Sequence, residues 1–340
     1  MTRSRHPFAL ASFSFILVVS SLIVCTLAAQ AASPVGRPAV RPDVKNDANR
    51  ITAATNITLR ATPAPDAVAI AQVPLGTELV DAGPAGLDKT WIRVRLADNR
   101  EGWILSNLTR TLDPVWRWPT FDRIISERLG RKGDGFAASV ELVAFIERVA
   151  PEYTDPDGRG RVELARIRAM AATLKAIPMS GGRREPYVTW LASRKTEVVY
   201  DEPGGRWMLA PGSLWDMHVQ QAKTTSADEI AWFAVGNGLP GECEGFVPCY
   251  LVARNRLHGE YLRRHPSGVH AAESVGVLKS TADLLGAPPK AGVAYKFDKK
   301  TDCRDLTTAI DALTAAVQAT RVEARDTALA SLAALKRGCQ

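Results

Sequence analysis

The chain has 340 residues, with 43 Lys or Arg against 36 Asp or Glu, a formal net charge of +7. That length accommodates two ordinary domains. The charges are interspersed, with no basic block beyond pairs such as Arg183-Arg184 and Lys299-Lys300, a pattern that speaks against nucleic acid as a partner and leaves loose attraction to anionic envelope polymers.

The chain opens MTRSRHPFALASFSFILVVSSLIVCTLAAQAASP. Arg3 and Arg5 make a short basic start, nothing is charged from Phe8 to Leu27, and Ala29-Gln30-Ala31 places small residues where a signal peptidase reads them. This pattern predicts a signal peptide over 1–31, cut after Ala31. The apolar run is also long enough to act as an uncleaved anchor, but the A-x-A site and the Pro/Gly-rich residues after it favour cleavage. Cutting there removes two positive charges and Cys25, leaving Cys243, Cys249, Cys303 and Cys339. An even set of cysteines in an exported chain favours disulfides over free thiols. The chain is therefore expected in the periplasm or outside the cell, with no membrane span after cleavage.

Residues 32–50, ASPVGRPAVRPDVKNDANR, are polar and proline-rich without an apolar period, and read as a linker. From 51 to 112 the pattern changes to short alternating runs, NITLRAT, LGTELVDAG, KTWIRVRLA and GWILSNL. Gly76, Gly83, Gly86 and Asp98-Asn99 supply turn chemistry between them. Asp98-Asn99 between Trp91–Leu96 and Trp103–Leu105 signals a hairpin, because Asn tolerates positive φ. Short strands with close turns predict a small all-β barrel or sandwich.

The same stretch resembles a bacterial SH3-like (SH3b) domain. Arg60, Pro63, Gly76, Trp91, Val94, Gly102, Trp103 and Leu108 stand at that family's matching positions, while Thr62 replaces a common Gly. The resemblance implies an SH3-like barrel over 51–112. Trp91 and Trp103 could line a peptide groove on it, flanked by Arg60 and Arg93. The plainer alternative is that both indoles are core packing. The implied partner is a cell-wall peptide or an envelope protein.

Beyond residue 113 the apolar spacing becomes three and four. FAASVELVAFIERVA, RVELARIRAMAATLKAI and LTTAIDALTAAVQA read as amphipathic helices. TEVVYDEPGGRWMLAP reads as a β-hairpin turned at Gly204-Gly205, and Trp215 with His218 follows on another helix. Asp228 and Glu229 read as a capping and surface pair beside a core Trp232. EYLRRHPSGVHAAES is similar to the helix junction of tetratricopeptide-like repeats, with Pro266 and Gly268 at the break and Ala271-Ala272 opening the next helix. A single copy does not make a solenoid. The expected organisation is multidomain: the SH3-like barrel, a mainly helical domain with one β-hairpin over 113–300, and a C-terminal helical hairpin over 301–340.

GECEGFVPC, residues 241–249, is the stretch with the most chemical options. It is similar to the Asp-Cys-Ser-Gly-Phe-Val motif of NlpC/P60 cell-wall cysteine peptidases, a resemblance that implies Cys243 as a thiolate nucleophile at a helix start. Two departures weigh against it. Glu244 replaces the serine and, with Glu242, opposes a thiolate. The following histidines, His258, His265 and His270, lie on helical or turn segments rather than on a downstream strand. The alternative is a Cys243–Cys249 disulfide across a short loop. As a zinc site the stretch has an unusual C-x5-C spacing. DPDGRGRVE (155–163) has Asp155, Asp157, Gly160 and Val162 at calcium-loop positions, but Arg159 and Arg166 occupy ligand positions and would repel the ion, so it reads as a solvated turn.

Cys303 and Cys339 bracket a helical run. One straight helix would hold them ~50 Å apart, whereas two antiparallel helices broken near Thr320 to Asp326 bring them together. The sequence thus points to an exported, non-enzymatic SH3b-type binding protein without catalytic residues, cofactor or metal. A cysteine peptidase using Cys243 is the alternative.

Overall fold

The computed structural model describes residues 48–83, 89–286 and 299–339. The expected signal segment 1–31, and the linker as far as residue 47, lie outside the described residues.

Seven short strands form one antiparallel sheet: β1 (Arg50–Thr52), β2 (Ile57–Arg60), β3 (Ala69–Val73), β4 (Glu78–Asp81), β5 (Trp91–Arg95), β6 (Glu101–Leu105) and β7 (Thr109–Thr111). Their order is β3-β2-β6-β5-β4-β1-β7. The sheet is not closed, and β3 and β7 are its edges. β1 and β7 have only three residues each, too few to carry the ladder around a circumference. The longest pairing is the hairpin β5–β6, in register from Trp91↔Leu105 to Arg95↔Glu101. Its turn works as the sequence implies. Asn99 sits at φ 67, Asp98 Oδ1 accepts the Arg100 amide at 3.1 Å, and the Leu96 amide donates to the Arg100 carbonyl at 2.9 Å.

Strand alternation sends Leu59, Leu79, Val94 and Ile104 inward, all fully buried in one cluster, each contributing about 1.5–3 kcal/mol by burial. Ile51, Leu75 and Leu112 instead join the core of the first helices, α1 (Trp118–Leu129), α2 (Phe136–Val149) and α3 (Pro156–Lys175). The Leu75 amide donates to Glu141 Oε2 at 3.0 Å, and its carbonyl accepts from the Arg148 guanidinium at 2.8 Å. The sheet therefore seats Ile51, Leu75 and Leu112 in the core of the first helices while keeping a separate cluster of its own.

α3 begins earlier than its apolar period suggests. The calcium-like stretch is its first turn: Asp155 caps it, accepting the Gly158 amide at 2.6 Å, and Asp157 accepts the Thr225 amide at 2.7 Å. The solvated turn expected there is corrected to a helix start, because a capped Asp-Pro-Asp opens a helix as readily as it opens a loop.

Next come α4 (Tyr187–Ser193), the hairpin β8 (Val198–Asp201) and β9 (Arg206–Leu209), then α5 (Pro211–Gln221) and α6 (Ala227–Asn237). Gly205, at φ 59, turns the hairpin. α6 separates two cores. Ile230 and Ala234 face the first, while Ala231 and Val235 face the second. The second core holds α7 (Val247–Arg254), a π-helical turn (Asn255–Gly259), α8 (Glu260–Arg264), α9 (Ala271–Gly286), α10 (Lys299–Gln318) and α11 (Arg325–Arg337). Cys303 on α10 and Cys339 beyond α11 form a disulfide with Cα atoms 5.5 Å apart. No helix of the described residues is long and apolar enough to cross a membrane.

Candidate functional site

The four residues proposed from sequence for ligand contact fall on one face of the sheet. Direct cross-strand partners point the same way, and Arg60 lies opposite Trp103, which lies opposite Arg93. Trp91 shares the face two positions from Arg93. The structure separates it from the others, because Trp91 is only 8% exposed. The expectation that Trp91 lines a groove is corrected: its large ring is taken up in packing. Arg60, Trp103 and Arg93 remain as a row across three strands.

Both guanidiniums of that row are anchored. Arg60 donates to the Ala67 carbonyl at 2.7 Å, and Arg93 pairs with Glu101 at 2.8 Å with both side chains well exposed. Between them Trp103 is half-buried. The adjoining edge strand β3 exposes Ile70, and the loop before it exposes Val68. An edge strand offers unpaired backbone donors and acceptors to an added strand.

Cys243 is bonded to Cys249, with Cα atoms 5.5 Å apart. The loop closes tightly: Gly241, Glu244 and Gly245 have φ of 93, 45 and 82, and the Phe246 amide donates to the Cys243 carbonyl at 2.6 Å. Cys249, not Cys243, occupies the first turn of α7. The peptidase resemblance required the reverse. The disulfide forms part of the wall of a cavity of about 800 Å3, whose apolar side holds Trp215, Leu239, Phe246 and Val252. Arg256, Glu260, Arg263 and Asp305 make its polar side, where Glu260 is already paired with Arg263 at 2.8 Å and contacts Arg264 at 2.6 Å.

Sequence reasoning treated the histidines one by one and missed that they gather. His218 on α5, His258 in the π-helical turn, and His265 and His270 between α8 and α9 converge on Trp215, Trp232 and Tyr261. His218 and His265 face each other with Nε2 atoms 2.8 Å apart. The Arg264 guanidinium lies 3.3 Å from His218 Nδ1. Arginine only donates, so His218 Nδ1 accepts and its Nε2–H donates to His265. Burial, then the charges of His265 and Arg264, push the His218 imidazole down to about 4. Burial, aided by Arg254, does the same to His258, also to about 4. His265 is lowered chiefly by burial.

Trp232 is half-buried: it packs against the second core and stacks on His270 with ring centroids 4.3 Å apart. Asp228 does not cap α6. It accepts the Tyr261 hydroxyl and, at 2.8 Å, the Val269 amide, so it ties α6 to the α8–α9 junction. Burial first, and this carboxylate second, raise the Tyr261 hydroxyl above its ordinary value.

The bond between His218 and His265, with Arg264 on the far nitrogen of His218, fixes the tautomer of His218. Among the described residues no group of three or more His, Cys, Asp or Glu could hold a metal ion. Comparison with protein-family models, with curated proteins and with solved structures finds no match to this chain.

Proposed function

We propose that the chain is an exported, non-enzymatic binding protein of the bacterial cell envelope. Its N-terminal sheet acts as an SH3-like module that docks a cell-wall peptide or a peptide of an envelope protein, and the helical part serves as its scaffold. The observation that carries the reading is the in-register row Arg60–Trp103–Arg93 beside the edge strand β3. An indole between two fixed cations suits a peptide with an apolar and a carboxylate group, and the edge offers it backbone hydrogen bonds. Two disulfides and the lack of a membrane-spanning helix among the described residues are compatible with export. The disulfide at Cys243 weighs against the peptidase reading, since the thiolate is the nucleophile.

Incubation with purified peptidoglycan tests both halves. The protein is expected to sediment with the wall and to release no soluble fragments. Failure to sediment would remove the binding claim. Fragment release that disappears in Cys243→Ala would replace it with the peptidase.

A further inference from the structure

A second site lies away from the sheet. The C-terminal end of α3, the hairpin β8–β9 and α6 surround a cavity of about 750 Å3. Leu174, Ile177, Met179, Trp207, Met208 and Phe233 wall it. Past Met179 and Trp207, which line both spaces, a second hollow of about 540 Å3 continues along Gly182 and Tyr200. The Trp207 indole is held between them by close approach of the backbone. A Cβ on Gly182 would stand 2.4 Å from Trp207 Nε1, and one on Gly205 would stand 2.7 Å from Met179 Cε. Any side chain at Gly182 or Gly205 would push the ring or the thioether out of the groove.

The charge of this groove is one-sided. Lys175 and Arg206 line the first hollow, Arg183 lines the second, and no Asp or Glu lines either. Arg206 leans on Asp201 at 3.3 Å, and Asp201 is also turned to the Gly241 amide at 3.0 Å. Lys175 and Arg183 are exposed and form no ion pair with any described residue. The Trp207 indole N–H and the Tyr200 hydroxyl have no acceptor among the described residues. The lining therefore offers apolar walls, donors and positive charge. Its complement is an apolar molecule with an anionic head.

We propose that this groove binds a single-chain amphipathic carboxylate, with the chain lying across Met179, Trp207 and Met208 and the head held by the cations at the rim. A volume of this size suits a small molecule rather than a folded partner. Two hollows side by side, sharing Met179 and Trp207 as wall, favour an elongated body over a compact ring. Unbranched methionine side chains can follow a chain of variable bend. The site is independent of the N-terminal row, so the two stand or fall separately.

Calorimetric titration of the full chain with sodium dodecanoate, kept below its micelle-forming concentration, tests the proposal. Saturable binding is expected at one molecule per chain. The cation dodecyltrimethylammonium should bind at least tenfold more weakly. A Lys175→Glu/Arg183→Glu variant should lose at least fivefold in dodecanoate affinity, and Trp207→Ala should also weaken it. Lys175 and Arg183 are exposed and unpaired, so the double variant should keep its thermal midpoint. No saturable binding would overturn the proposal. So would equal affinity for the two amphiphiles, dodecanoate binding unchanged in the double variant, or tighter binding of a hexaglutamate peptide that displaces dodecanoate. Sedimentation with peptidoglycan should be unchanged by these variants.

Discussion

Gly76→Ala is expected to destabilise the whole molecule, because the residue sits where the sheet meets the helices. Its φ is +73, and a Cβ there would stand 2.1 Å from Phe145 Cδ2 and 2.6 Å from the Arg148 guanidinium. The left-handed backbone alone costs an alanine about 1–2 kcal/mol. Moving the fully buried Phe145 ring, which packs edge-on against Phe121 at 5.9 Å, adds about 1–3 kcal/mol. The sum is about 2–5 kcal/mol, or roughly 2–4 °C in thermal midpoint per kcal/mol for a unit of this size. The assay is urea unfolding followed by tryptophan fluorescence and by circular dichroism. Gly135→Ala is the control, since nothing lies within 4 Å of a Cβ there and φ is −75; it should stay within about 0.5 kcal/mol of the parent. A Gly76→Ala protein as stable as that control would refute the packing of this turn on α2, and with it the seating of the sheet on the first helices.

Two further outcomes follow from the crosslinks and the buried imidazoles. Replacing Cys303 and Cys339 by Ser opens a closure spanning 36 positions and should lower stability by ~4 kcal/mol, and peptide mapping of the parent should find those two joined and Cys243 joined to Cys249. Stability should also fall on acidification. An unfolded His takes a proton near pH 6.5, whereas folded His218 and His258 stay neutral to about 4. Their contribution is thus complete above pH 6.5 and is lost as the pH falls to 4, on the order of 3 kcal/mol for each group. Subtracting the urea-unfolding profile of His258→Gln from that of the parent isolates one of them. A difference that stays flat from pH 7 to 4.5 would contradict its buried, neutral state.

The strands with clean alternation, β2, β4, β5 and β6, and the hairpin at Asp98-Asn99 were legible in the sequence, because period and turn chemistry are local. β3 was not: in Ala-Ile-Ala-Gln-Val only the last residue is buried, and as an edge it has little burial to pattern. β1 and β7 are too short to show a period. α2, α10 and the body of α3 were legible from their apolar spacing, whereas α1, α4 and α7 were not singled out and the start of α3 was missed, where Gly158 and Gly160 read as loop. Those glycines are buried in the helix; a Cβ on Gly160 would stand 2.5 Å from the Thr224 hydroxyl.

The site divides in the same way. Arg60, Trp103 and Arg93 could be named from the resemblance, but their alignment depends on the β2–β6 pairing, which joins residues 43 positions apart. Nothing local marks Trp91 for burial and Trp103 for partial exposure. The histidine cluster and the cationic groove are assembled from helices and a hairpin far apart in the chain. Their members carry no common spacing, and only the fold brings them together.

The binding isotherm of the full chain for purified peptidoglycan, measured beside an Arg60→Ala/Trp103→Ala/Arg93→Ala variant of unchanged circular dichroism, tests the central claim most directly. The row should account for at least a tenfold difference in affinity, because anchors of this type carry most of the energy at an interface. Equal sedimentation of the two proteins would contradict it.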